Sequence, residues 1–289
     1  MNLCGVVIGA LLLALSSAPA LALDGAALDQ AARAEEAALP ARVGVAALDT
    51  GTGQLWTYRS DERFPLDSTH KAFACADLLA RADRGELSLD RRVVIPATAI
   101  VEHSPITQTH IAPASMSLAD LCAASIGVSD NTAANFVLAA LGGPKGVTQF
   151  FRALGDSTSR LDRIETDLNE STPGDVRDTT TPAAAVADLD KILLGDALKP
   201  ASRERLKKWM VEDKVAGPLL RAALPEGWRI ADKTGAGEHG SRGIVAAIWP
   251  RGRAPVVVAI YLTETPASLD ARNAAIARIG AALVKALGP

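Results

Sequence analysis

What most limits how this chain can fold is the separation of its strand-forming segments. Arg42 to Ala47 alternates apolar and polar residues. Asp49-Thr50-Gly51-Thr52-Gly53 reads as a turn, and Gln54 to Arg59 as a second strand, which together make a hairpin. Residues 228–235, 243–250 and 255–263 return to strand character, and Pro266 breaks the last of them. From Ser68 to about Met210 the pattern between these groups is helical, with irregular connections. Residues 24–39 and Leu269 to Leu287 read as amphipathic helices at the two ends. Aromatic residues make up only 4% of a chain that is 48% hydrophobic, so the core must be Ala, Leu, Val and Ile, a composition that favours helix. A single sheet assembled from both ends of the chain, with a helical domain inserted, satisfies all of this.

With 289 residues the chain is long enough for one large domain or two intimate ones, and its formal net charge of −3 gives no reason to expect nucleic acid or an acidic membrane surface as a partner. Residues 1–22 read as a secretory signal. Val6 to Leu15 is an apolar run too short to span a bilayer, and Ala20-Leu21-Ala22 is an A-x-A cleavage site. An uncleaved anchor is the alternative. Cys4 would leave with the signal, so Cys75 and Cys122 remain as an even pair in an exported protein. They read as a disulfide, with two buried free thiols as the alternative.

Candidate chemistry is spread along the helical block and the last strands. Ser68 and Lys71 form an S-x-x-K at the start of the helical pattern Ala72 to Ala82. An amine one turn from a serine hydroxyl can make that weak nucleophile usable. A helix N-terminus also favours an oxyanion formed there. Ser129-Asp130-Asn131 opens another helix and, alone, is a plain cap. Lys233-Thr234-Gly235 ends a strand and, alone, is a strand-end turn. Residues 160–180 are polar and without period, as functional or Ω-type loops are, and they carry Glu165 and Asn169 four residues apart.

The combination is far more specific than its parts. S-x-x-K, S-D-N and K-T-G occur once each, in this order, with 61 residues from Ser68 to Ser129 and 104 from Ser129 to Lys233. On these motifs the chain resembles the class A serine β-lactamases over roughly residues 24–288. That resemblance implies an α/β (α+β) fold: a five-stranded antiparallel sheet flanked by N- and C-terminal helices, with an inserted all-helical domain. The division expected is 23–60 with 212–289 for the discontinuous α/β domain and 61–211 for the helical domain, its active-site loop at about 160–178.

The same resemblance implies the roles. Ser68 would attack the β-lactam carbonyl and Lys71 help remove its proton. Ser129 would pass a proton to the ring nitrogen, with Lys233 supporting it. Glu165, held with Asn169 in Glu165-Thr166-Asp167-Leu168-Asn169, would activate the deacylating water. Asn131, Thr234, Gly235, Ala236, Arg242 and His103 would line the substrate site, with the backbone N–H groups of Ser68 and Ala236 as oxyanion hole. Arg163 and Asp178 would pair to close the loop, and Cys75–Cys122 falls where many members have a disulfide. His103 and Val128 stand where tyrosines are common. Ala236, Gly237 and Glu238 resemble penicillin-preferring members.

Neither cofactor nor metal is implied, because His70, His103, His110 and His239 show no zinc-ligand spacing. A secreted or periplasmic monomer acting on a small β-lactam, with no stable membrane association, is the expectation. The alternatives are a D,D-peptidase (penicillin-binding protein) and a β-lactam-binding sensor, both of which acylate without turnover. Glu165 with Asn169 argues against the first, and turnover of a substrate would separate all three.

Overall fold

The computed structural model describes residues 25–288, and the expected signal at 1–22 lies outside them. In chain order the elements are α1 (Gly25–Ala38), β1 (Arg42–Asp49), β2 (Leu55–Tyr58), β3 (Phe64–Pro65), α2 (His70–Asp83), β4 (Arg92–Val94), β5 (Ser115–Ser117), α3 (Leu118–Gly127), α4 (Asn131–Ala140) and α5 (Pro144–Ala153). They continue with β6 (Thr179–Thr180), α6 (Pro182–Leu193), α7 (Pro200–Val211), β7 (Arg229–Ala236), β8 (Arg242–Trp249), β9 (Val256–Thr263) and α8 (Leu269–Leu287). The two ends do build one antiparallel sheet, in the order β2-β1-β9-β8-β7. β1 meets β9 at Val45↔Ile260, and β7 meets β8 at Gly235↔Gly243.

Both faces of this sheet are covered, so its inner strands are buried at nearly every position instead of alternating with solvent. The two-residue period still sorts their side chains. Val256, Val258, Ile260 and Leu262 of β9 join one core, which is completed by Leu28 of α1 and by Ile276, Ile279 and Leu283 of α8. Val257, Ala259 and Tyr261 join the other, beneath the helical block. Ala231 of β7 belongs to that second core, and Lys233, two residues on, shares its side of the strand.

The helices begin where their caps dictate. Ser117 and Asp120 form a reciprocal capping box at α3. The Asp130 carboxylate accepts from Ala133 N at the start of α4. Thr181 caps α6 ahead of Pro182 at the first helical position. Cys75 of α2 and Cys122 of α3 are joined in a disulfide, with Cα atoms 5.7 Å apart and a separation of 47 residues. Closing a loop of that length restricts the unfolded chain by about 4 kcal/mol on the chain-entropy model.

Two features depart from the sequence reading. The α-helix starts at His70, and Ser68 lies just before it in a single 3-10 turn, Asp67–Thr69. The 61–211 block also contains two short ladders, β3–β6 and β4–β5, whose strands of two or three residues are too short to show any periodicity. The first of them matters for the site. Next to it Leu66 N donates to Asp178 O at 2.8 Å, so the base of the 160–178 loop is tied to the segment leading into Ser68.

Candidate active site

Ser68 is nearly buried, at the floor of a cleft of about 890 Å³ between the sheet edge and the helical block. The volume suits a small organic molecule. Lys71, one turn later, has no solvent exposure at all. Its ammonium donates to Ser129 O at 2.8 Å, Ser129 Oγ at 3.2 Å and Asn131 Oδ1 at 2.5 Å, and lies 3.0 Å from Glu165 Oε1. Burial holds this amine below the ordinary lysine range, and the Glu165 carboxylate offsets part of that.

Glu165 comes from the long loop, yet it is as buried as the residues of the core. Its peptide is fixed by Asn135 of α4, whose side chain accepts from Glu165 N at 2.9 Å and donates to Glu165 O at 2.8 Å. The peptide bond from Glu165 to Thr166 is cis. The carboxylate accepts from Ser68 Oγ at 3.4 Å on Oε1 and from Asn169 Nδ2 at 2.5 Å on Oε2. Burial alone would raise its pKa. Lys71 and the Asn169 amide more than reverse that, and the group sits below the ordinary glutamate range. Asn169 Oδ1 is buried and receives no donor among the described residues.

The loop is anchored at its base as expected. Arg163 Nε donates to Asp178 Oδ2 at 2.6 Å. The other Asp178 oxygen accepts from the backbone of Asp162 and Arg163 at 2.7 and 2.9 Å. Arg163 also pairs with Glu170.

Ser129 Oγ lies between two ammonium groups, Lys71 at 3.2 Å and Lys233 at 3.1 Å. Lys233 is fully buried and also donates to Thr234 O at 2.9 Å. Desolvation pushes it down to about 8, with Asp213 opposing and Lys71 and Arg242 adding to the effect. Gly235 is needed for close approach. A Cβ there would lie 2.8 Å from Asp67 Cβ and 3.0 Å from Ser68 N, so only a glycine lets β7 reach the serine segment.

Thr234, Gly235, Ala236, Asn131, His103 and Arg242 all line the cleft. Arg242 Nε donates to Asn273 Oδ1 at 2.8 Å and its Nη1 to Gly235 O at 2.9 Å, and burial pushes it down to about 10. Asn131 is committed at both ends, to Lys71 and to Glu102 O at 2.9 Å, so any bond to a ligand must share those groups. His103 Nε2 lies 3.0 Å from Val128 O at the rim. Val128 itself faces a different groove, with Trp209 and Met116.

The arrangement is a serine hydroxyl against a carboxylate–amine pair, with a second amine and a guanidinium along one wall. A protein-family model for the β-lactamase enzyme family matches residues 27–287. The chain belongs to the class A β-lactamases. It is 53% identical to β-lactamase AER-1 of Aeromonas hydrophila over 285 residues, covering 99% of this chain and 94% of that one. To β-lactamase PSE-4 of Pseudomonas aeruginosa it is 48% identical, over 88% of each. An ancestral class A β-lactamase structure superposes with a TM-score of 0.88 at 51% identity, covering 90% of this chain and 99% of that one. The chromosome-encoded β-lactamase of Vibrio parahaemolyticus gives 0.87 at 46%, over 89% and 98%.

Ser68, Ser129, Asn131, Asn169, Thr234, Gly235, Ala236, Arg242 and His103 share one cleft, with Lys71, Glu165 and Lys233 buried against them, whereas Val128 does not line it. Sequence reasoning missed Asn135, Asn273 and Asp67. An amide inside an apolar helix, such as Asn135 in α4, is the one signal that pointed to any of them. His70 packs, fully buried, with Nδ1 2.8 Å from Asp67 O. Burial pushes it down to about 4, so the ring is neutral and donates through Nδ1 to that carbonyl.

Proposed function

We propose that this β-lactamase opens the β-lactam ring through a serine acyl-enzyme, with Glu165 activating the water that releases it. The observation that carries the reading is the position of one carboxylate: Glu165 Oε1 lies 3.4 Å from Ser68 Oγ and 3.0 Å from Lys71 Nζ. Ser68 attacks the ring carbonyl, and its proton leaves toward the Lys71–Glu165 pair. The oxyanion is held by the backbone N–H groups of Ser68 and Ala236, each worth about 3 kcal/mol in the transition state. Ser129, between the two lysines, hands a proton to the departing nitrogen. Thr234, Arg242 and the Lys233 ammonium attract the substrate carboxylate, with Asn131 and His103 along the rim.

Deacylation then needs a base and a place for one water. Glu165 is ionised, and the unpartnered Asn169 Oδ1 supplies a second acceptor beside it. This is the half-reaction that a penicillin-binding protein or a sensor lacks. We also propose the division into an α/β domain (23–60 and 212–289) and a helical domain (61–211): one core is built wholly from the first, and the other packs the helical block on the opposite face of the sheet. A monomer is inferred because a single chain supplies the whole cleft. Export to the periplasm or the exterior accords with the disulfide and with the absence, among the described residues, of any helix long and apolar enough to cross a membrane. Antibiotic resistance would follow from the activity.

The test is turnover of a chromogenic cephalosporin by the purified protein. Many product molecules per enzyme, abolished by Ser68→Ala, are expected. A single stoichiometric burst would overturn the reading.

A further inference from the structure

Asp67 immediately precedes Ser68, has no part in the chemistry above, and is buried. Its backbone is left-handed, with φ at 42°, a conformation that aspartate tolerates better than most residues. One carboxylate oxygen accepts from Ser171 Oγ at 2.9 Å and the other from Ser241 Oγ at 2.6 Å, while the two serine oxygens lie 3.1 Å apart. Ser171 follows Asn169 by two residues on the loop. Ser241 precedes Arg242 in the β7–β8 turn. Three segments that are remote in sequence therefore converge on one carboxylate.

The surroundings are built to the same gauge. Glu238 N donates to Asn169 O at 2.9 Å, and Gly237 N to Ser241 O at 3.3 Å. A Cβ on Gly237 would lie 2.5 Å from Asp67 Oδ1, 2.6 Å from Asn169 O and 2.6 Å from Ser171 Oγ. Arg272 Nη1 donates to Ser241 O at 2.9 Å from the α8 side. A carboxylate suits the junction because its two oxygens accept both hydroxyls at once. Burial pushes it up to about 6, with Glu165 adding and the two serines and Arg242 opposing, so it is ionised at neutral pH.

We propose that Asp67 is a positioning residue for deacylation: through Ser171 and Ser241 it locks the loop carrying Glu165 and Asn169 to the sheet edge carrying Ala236. The clamp fixes the gap between the two acceptors of the attacking water and the acyl carbonyl held in the oxyanion hole. The proposal rests on the deacylation role given to Glu165 above.

The test measures acylation and deacylation separately in single turnovers for wild type, Asp67→Asn, Asp67→Ala, Ser171→Ala and the double Ala variant, with Tm alongside. Misplacing reacting groups by about 1 Å costs up to roughly a hundredfold, so Asp67→Ala is expected to slow deacylation about tenfold or more while acylation changes less than about threefold. Asp67→Asn, which can accept one hydroxyl and donate to the other, should stay within about threefold of wild type. Ser171→Ala should slow deacylation in the same way and add little to Asp67→Ala, as members of one network do. Unchanged deacylation in a folded Asp67→Ala protein, or full additivity of the two, would overturn the clamp. If Asp67→Ala does not fold, Ser171→Ala decides alone, and unchanged deacylation there overturns it. Wild-type protein that acylates without release would instead defeat the underlying function, whereas wild-type turnover with insensitive variants defeats only the clamp.

Discussion

Glu165 and Asp188 are both carboxyls taken out of water, and they end in opposite states. Asp188 on α6 is fully buried, and neither of its oxygens receives a donor among the described residues. Burial and the facing Asp156 carboxyl push it up to about 8, so it carries a proton at neutral pH. Glu165 suffers the same desolvation, yet an ammonium at 3.0 Å and an amide at 2.5 Å hold it ionised. Burial alone makes a neutral acid. Burial beside Lys71 makes a base, already stripped of the water that would blunt it.

Removing that difference should produce the largest effect. In Lys71→Ala, Glu165 keeps its burial and loses its main counter-charge, so its pKa should rise toward the state of Asp188. Hydrolysis at neutral pH should fall by about a thousandfold, in the range for loss of a positioned proton-transfer group. The acid limb of kcat/KM should also move to higher pH, and a pH–rate series on the variant checks both. Retention of the wild-type acid limb would break the comparison.

Next is the frame that holds Glu165 in place. Arg163→Ala leaves the buried Asp178 carboxylate with only its backbone donors. Deacylation should slow by about ten- to a hundredfold through misplacement of Glu165. Acylation should change less, and Tm should drop because one member of a partly buried pair is left behind. Stopped-flow measurement of the two steps, with a thermal melt, tests this. Equal slowing of both steps would show that the loop is not the specific support for Glu165.

Lys233 is the intermediate case, a buried cation with no carboxylate in contact among the described residues. Its pKa of about 8 places its loss of charge within reach of ordinary assays. As pH rises through 8 the ammonium becomes an amine, and its pull on the substrate carboxylate is lost. The free-enzyme profile of kcat/KM should therefore fall on the alkaline side with a midpoint near 8, by about tenfold. Lys233→Gln should be slower throughout and lack that limb.

Asp188 gives the smallest effect, and it concerns stability. Its folded pKa of about 8 is raised above the unfolded value near 3.8. Its favourable contribution is therefore full below pH 4 and is lost as pH rises through 8. Asp188→Asn should gain stability relative to wild type across that window, so that the Tm difference between the two widens steadily as pH rises from 4 to 8. A Tm difference that stays constant with pH would show that Asp188 is ionised like Glu165.

Legibility in the sequence followed the scale of the signal. The sheet shared by both chain ends, the long helices and the Cys75–Cys122 pair were readable because period, caps and even cysteine count are local or additive properties. Ser68, Lys71, Ser129, Lys233 and Glu165 were readable because each sits in a short motif and the motifs fall in order. Ladders of two or three residues have no period to detect. Asn135, Asn273 and Asp67 act on groups 30, 31 and 104 or more residues away, and only folding brings those partners together. The Gly235 and Gly237 sites likewise look like ordinary turn residues until Asp67 is seen against them.

The most direct test of a buried, lysine-held Glu165 as the deacylation base is intact-protein mass spectrometry of Glu165→Ala after mixing with a penicillin. Acylation should proceed and release should stall, so the protein should gain the mass of one drug and keep it for minutes to hours. Unmodified Glu165→Ala protein that still hydrolyses the penicillin at the wild-type rate would remove Glu165 from the mechanism.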